Sequence, residues 1–181
     1  MDKVSYQLIR GNKAENPFGT IVGKNAFFRA IGELENVEFD GECSISEAVT
    51  GSADRGSNDG LTVIITDFFT DNDWKKAVDY LCYKKRQVLL IQVLSPEEKD
   101  PSYSGRVNLI DAESGSLEDG RNMRMRITKS RLLAYQEAMR DMTEGIREFS
   151  VSRGVEFISV SCDQPIEKML FGELLKVGIM G

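Results

Sequence analysis

The sequence predicts an α/β domain: a three-layer, doubly wound sheet with a small β-hairpin inserted before its longest helix. Three observations lead there. Leu61–Thr66 and Gln87–Leu94 are short apolar runs of the kind that fill buried parallel strands, and a helical pattern separates them. A long amphipathic pattern then runs from Leu132 to Phe149 and ends at Arg153-Gly154, before a third apolar run at Val155–Val160. Strand, helix and strand within so few residues make a βαβ unit, whose crossover is right-handed.

Each element follows from its own residues. Val4, Tyr6 and Leu8 alternate with polar residues, so Lys3–Arg10 reads as a strand. Gly11–Gly23, rich in Asn, Gly and Pro, reads as a loop. Asn25 is the expected cap of a helix running to Glu35, with Phe27, Phe28, Ile31 and Leu34 on one face. Ser44–Val49 reads as a short helix and Gly51–Gly60 as a polar loop. Asp71 or Asn72 caps the next helix, which carries Trp74, Ala77, Val78 and Leu81 at helical spacing. Pro96–Gly105 reads as a loop. Arg106–Ile110 and Asn122–Ile127 flank a turn-rich stretch and read as the hairpin. Thr128 or Ser130 starts the long helix, which presents Leu132, Tyr135, Met139, Met142, Ile146 and Phe149. Pro165 opens a last helix through Leu175. No linker or repeat interrupts the chain, so residues 1–181 read as a single domain.

Composition narrows the chemistry. A net charge of −6 argues against nucleic acid or an anionic membrane as the partner. There is no histidine, which removes every Ser-His or Cys-His nucleophile and every His-ligated metal. The three cysteines, Cys43, Cys82 and Cys162, are scattered and form no Cys-x-x-Cys, as expected for thiols in a reducing compartment. Met1-Asp2-Lys3-Val4 opens no signal peptide, and no apolar run reaches the ~18 residues of a membrane span. A cytoplasmic chain without a cofactor is the expectation.

In doubly wound folds ligands meet the carboxyl ends of the strands. Thr66-Asp67, Leu94-Ser95-Pro96 and Ser161-Cys162-Asp163 should therefore share one functional edge. Asp67 is either a turn residue or a ligand there. Gly19–Asn25 imitates a phosphate-binding loop, but Phe18 and Asn25 stand where its first glycine and its hydroxyl belong. Between Arg121 and Arg153 there are eight basic and four acidic residues. This reads as a solvated helix face with pairs such as Arg140 with Glu144, or as an interaction patch.

Several blocks carry a family resemblance. Leu61-Thr-Val-Ile-Ile-Thr-Asp67-Phe68-Phe69 with Trp74 resembles the valine-rich strand and Ser-Asp-Phe block of a von Willebrand factor A-like family, the domain of unknown function fifty-eight. Val88–Glu98, Gly105–Gly115, Tyr135, Arg153-Gly154-Val155 and Cys162-Asp163-Gln164-Pro165 are similar to its later blocks. The resemblance implies a von Willebrand A-like fold and a protein-interaction role beside a MoxR-type AAA ATPase. It does not imply an enzyme. Many members carry N-terminal membrane helices, which this chain lacks. The chain opens at what resembles the second strand of that fold. The first strand, with its Asp-x-Ser-x-Ser metal motif, is missing, and Glu42-Cys43-Ser44-Ile45-Ser46 imitates the motif only in part. In the aligned metal-completing block Cys43 replaces a threonine, a poor exchange for a hard cation, and Asp67 alone keeps a ligand type. Cys43 and Asp67 are thus vestigial metal candidates, and no metal is expected. Thr66, Asp67 and Ser44 are the expected interaction face.

The missing strand also implies either a C-terminal part of a longer protein or a chain whose sheet has a gap. Such a gap closes by direct pairing of Lys3–Arg10 with Leu61–Thr66, is filled in a homodimer, or leaves the sheet ending at Leu61–Thr66. The homodimer is the favoured expectation. The alternative function is a hydrolase or nucleotide-dependent enzyme on a Rossmann-like sheet. That would need a nucleophile with its base, or a phosphate-cradling glycine loop.

Overall fold

The computed structural model describes residues 3–10, 13–37, 43–52, 60–69, 74–101, 105–109, 123–169 and 172. The chain divides into two compact units. The first comprises Met1–Gly56, Asp71–Ala77 and Ile110–Arg121, and the second Ser57–Thr70, Val78–Leu109 and Asn122–Gly181.

In the first unit the expected strand at Lys3–Arg10 is shorter. It is β1 (Leu8–Arg10), preceded by an isolated bridge between Val4 and Ile21. Its partner, β2 (Lys13–Glu15), is antiparallel and lies inside the segment expected to be a loop. Helix α1 (Lys24–Leu34) starts after Gly23, whose φ of 85° sits at the N-cap position. Asn25 therefore lies inside the helix and does not cap it. Ala30 is the buried residue of α1, whereas Phe27, Phe28 and Ile31 stay largely exposed. The hydroxyl of Tyr6 donates to the Ala30 carbonyl at 3.2 Å, and its ring meets Phe18 with centroids 5.0 Å apart. Helix α2 (Ile45–Ser52) buries Ile45 and Ala48 and runs two residues into the expected polar loop.

The second unit holds the parallel sheet. Strands β3 (Leu61–Thr66), β4 (Gln87–Leu94) and β7 (Glu156–Ser161) lie in the order β3-β4-β7, all parallel. Leu89 and Ile91 on one face of β4 pack with Ile158 and Val160 of β7, joined by Val93 and Met169. The next row on the opposite face sets Ile64, Leu90 and Phe157 in register. Beneath the run of apolar residues, burying a side chain of this size is worth roughly 1.5–3 kcal/mol.

Helix α3 (Trp74–Tyr83) leads into β4 through a left-handed C-terminus: Lys85 has φ of 60°, and its neighbour Arg86 donates to the Leu81 carbonyl at 3.1 Å. The proposed caps Asp71 and Asn72 lie outside the described residues. Helix α4 (Pro96–Lys99) occupies the start of another segment expected to be a loop. The antiparallel hairpin of β5 (Gly105–Leu109) and β6 (Met123–Ile127) is as the sequence suggests.

Helix α5 (Lys129–Arg153) is capped by Thr128, whose hydroxyl accepts from the Arg131 amide at 3.4 Å. It ends at Gly154 in the left-handed region, where the Val155 amide donates to the Ser150 carbonyl at 2.9 Å. Its inward face is carried by Met139, Ile146 and Ser150, with Tyr135 of the expected face left partly in solvent. The last helix is described as α6 (Ile166–Lys168), and its expected end at Leu175 lies outside the described residues. No helix among the described residues is long and apolar enough to cross a membrane.

Candidate functional site

The carboxyl ends of β3, β4 and β7 are the place to search, because the backbone there leaves the sheet and side chains change direction. At the end of β3 the Asp67 carboxylate accepts from the Phe69 amide at 2.9 Å and from the Thr66 hydroxyl at 3.5 Å. The Thr66 hydroxyl in turn accepts from the Phe68 amide at 3.3 Å. These bonds hold Phe68 at φ of 65°, a conformation that costs an L side chain roughly 1–2 kcal/mol. The consequence is one buried and one exposed aromatic residue side by side. Phe68 is 4% exposed and Phe69 is 46% exposed.

At the end of β4, Ser95 caps α4. Its hydroxyl accepts from the Glu98 amide at 3.2 Å, and the Glu98 carboxylate accepts from the Ser95 amide at 2.6 Å. This is a complete capping box. At the end of β7 the Cys162 amide donates to the Leu94 carbonyl at 2.9 Å, which ties the two strand ends together.

Between these ends lies a buried polar row. Thr66, Gln92 and Ser159 are register partners across the three strands and so share one face. Gln92 is completely buried in the central strand. Its amide Nε2 donates to the Asp67 carbonyl at 3.3 Å, and its Oε1 accepts from the Thr143 hydroxyl of α5 at 3.3 Å. One side chain therefore joins the Asp67 turn to the long helix.

An open groove of about 400 Å³ lies beside this row. Leu94 and Met139 form its apolar part, and Ser159 and Thr143 its polar part. Lys99, Arg140, Arg147 and Glu144 bring charge to it. Gln136 completes the lining and donates to the Asp100 carboxylate at 2.6 Å. Beside it the Tyr135 hydroxyl donates to the Glu98 carbonyl at 3.0 Å. Burial and then the neighbouring Glu98 charge push the Tyr135 phenol above its usual range. The pairing of Arg140 with Glu144 expected from spacing is replaced by Arg147 with Glu144 at 2.6 Å, three residues apart. Further along α5, Arg153 pairs with Asp79 of α3 at 2.6 Å. Desolvation, then Asp79, raises the Cys82 thiol, partly offset by Arg153.

The expected site residues thus divide. Thr66 and Asp67 meet at one turn in the second unit. Ser44 and Cys43 belong to the first unit, where the Ser44 hydroxyl accepts from the Glu47 amide at 3.3 Å and caps α2. Among the described residues no three His, Cys, Asp or Glu side chains cluster as a metal site would require. Sequence reading missed Gln92 and Phe69 as site residues. The signals were a lone amide inside an apolar strand and an aromatic residue just past the strand-ending Asp.

A family model described as "Protein of unknown function DUF58" matches residues 2–144. The chain belongs to the DUF58 family. A solved structure supports the shared fold: the crystal structure of the conserved hypothetical protein BatB from Bacteroides thetaiotaomicron. It is similar to this chain with a TM-score of 0.54 and 16% identity, over 98% of this chain and 80% of that one. None of the curated proteins matches the chain.

Proposed function

We propose that this DUF58 chain is a von Willebrand A-like, non-enzymatic protein-interaction domain. It meets its partner at the turn after β3, and the partner is a MoxR-type AAA ATPase. The observation that carries the reading is the exposed Phe69 ring, on a residue whose backbone amide donates to the Asp67 carboxylate. A positive φ at the buried Phe68 stores backbone strain at this point, and such strain persists where surrounding contacts enforce it. Exposed aromatic side chains beside polar groups are frequent energetic centres of protein interfaces. The Thr66 hydroxyl and the Asp67 carboxylate are engaged in hydrogen bonds with the backbone of the turn, which suits a scaffold that presents a ring.

The test is a binding measurement between the full chain and a purified MoxR-type ATPase by biolayer interferometry. Phe69→Ala should weaken binding by about thirtyfold, equivalent to about 2 kcal/mol at a hot-spot aromatic. Tyr83→Ala removes another exposed ring of the second unit and should leave binding unchanged. Equal affinities for the wild-type and Phe69→Ala chains refute the reading.

A further inference from the structure

The groove beside α5 has an electrostatic character opposite to that of the chain. The chain carries a net charge of −6, yet Lys99, Arg140 and Arg147 line the groove against one lining carboxylate, Glu144. Glu144 is neutralised by Arg147 at 2.6 Å. Asp100 lies just beyond; the Gln136 amide donates to its carboxylate, which keeps its charge and offsets part of the groove's positive excess. Arg140 and Lys99 remain, and among the described residues neither side chain has a protein partner. Placing two like charges along one groove without a counterion costs free energy, and an anion between them removes that cost.

The donors define the anion. Arg140 offers a planar fork of N–H groups and Lys99 a point charge with three donors. Ser159 adds a hydroxyl from the sheet floor. The Thr143 hydroxyl already donates to Gln92, so it contributes shape and not a bond to the anion. Leu94 and Met139 provide an apolar wall for the rest of the molecule. A volume of about 400 Å³ lies at the small end of the range for small-molecule sites. A tetrahedral oxyanion accepts a fork, a point charge and a hydroxyl at the same time.

We propose that this groove binds a small, soluble phosphate-bearing molecule, with Arg140 and Lys99 as the anion clamp and Ser159 as a neutral donor. The assignment is independent of the partner proposed for the Phe69 turn. Calorimetric titration of the full chain with pyrophosphate tests it, with ionic strength held constant by chloride. The expected result is saturable, one-site binding that Arg140→Gln and Lys99→Gln each weaken by more than about tenfold. Lys129→Gln, on the same helix but outside the groove, should leave the affinity unchanged. All three positions are on the surface or near it, and an unchanged thermal midpoint confirms that each variant is folded. Absence of saturable binding overturns the proposal, as does binding that survives in the Lys99→Gln, Arg140→Gln double variant. A second arm offers phosphatidic acid in phosphatidylcholine vesicles. Capture of those vesicles without binding of free pyrophosphate overturns the soluble ligand in favour of a lipid headgroup.

Discussion

Replacing Gln92 tests whether the buried polar row holds the second unit together. Gln92→Met keeps the length of the side chain and removes both polar ends. The Asp67 carbonyl loses a donor at 3.3 Å, and the Thr143 hydroxyl loses an acceptor at 3.3 Å. Leaving a buried group unsatisfied costs about 1–3 kcal/mol. Both bonds are long and both partners are only partly buried, so the low end applies, near 1 kcal/mol for each. The apolar replacement returns part of this through burial in a fully enclosed position. The expected net loss is about 1–2 kcal/mol, read as a lower urea midpoint at constant slope. Thr143→Val should cost less, and the double variant should lose less than the sum, with a coupling of about 0.5–1 kcal/mol. A coupling near zero refutes the bridge, and a Gln92→Met chain as stable as the wild type refutes the role of the row.

Four further outcomes follow from the same fold. Ile146→Ala on the buried face of α5 should cost about 2–5 kcal/mol in urea unfolding, and an unchanged midpoint would mean that the helix does not dock through that face. Lys85→Gly should stabilise the chain by about 1 kcal/mol, because glycine adopts φ of 60° without the penalty lysine bears; a lower thermal midpoint would contradict this. The Tyr135 phenol is raised in the folded state, so its contribution is complete below the unfolded value near 10 and is lost as pH climbs through the folded one. Urea midpoints measured above pH 10 should therefore fall less steeply in Tyr135→Phe. Magnesium titration by calorimetry should give no stoichiometric micromolar isotherm, since among the described residues no group of three metal-ligating side chains gathers around Asp67; an isotherm abolished by Asp67→Ala would refute that.

The central strands were legible because parallel strands buried on both faces leave continuous apolar runs. Gln87–Leu94 forms at its expected bounds for that reason; Leu61–Thr66 does so too, although Leu61, Val63 and Ile65 on one of its faces are exposed. The end of α5 was equally plain, since Gly154 is the residue that takes a left-handed φ at lowest cost. Short elements were harder. Ser95-Pro96-Glu97-Glu98 carries a capping box and a proline at the first helical position, but its single turn is too short for any periodicity. β2 is three residues long and has no apolar alternation to reveal it. The groove was hidden for another reason. Spacing alone allows Glu144 to pair with Arg140 or Arg147, and only the packed side chains choose Arg147 and leave Arg140 to the groove. Phe69 depends on the unusual backbone of Phe68, which no hydrophobic pattern encodes.

The edge of the sheet follows from a competition between local and distant pairing. Direct pairing of β1 with β3 was one way to close a sheet lacking its first strand. Among the described residues Leu8–Arg10 pairs with Lys13–Glu15, and the parallel sheet has the order β3-β4-β7. Only Gly11-Asn12 separates β1 from β2 in sequence, whereas about 50 residues separate β1 from β3. Loop closure grows with the logarithm of length, so the distant pairing starts about 3 kcal/mol behind. The hairpin therefore takes the strand; among the described residues β3 is an outer strand of the parallel sheet, and Val63 and Ile65 on one of its faces are exposed. Exposed edges of this kind attract a further strand.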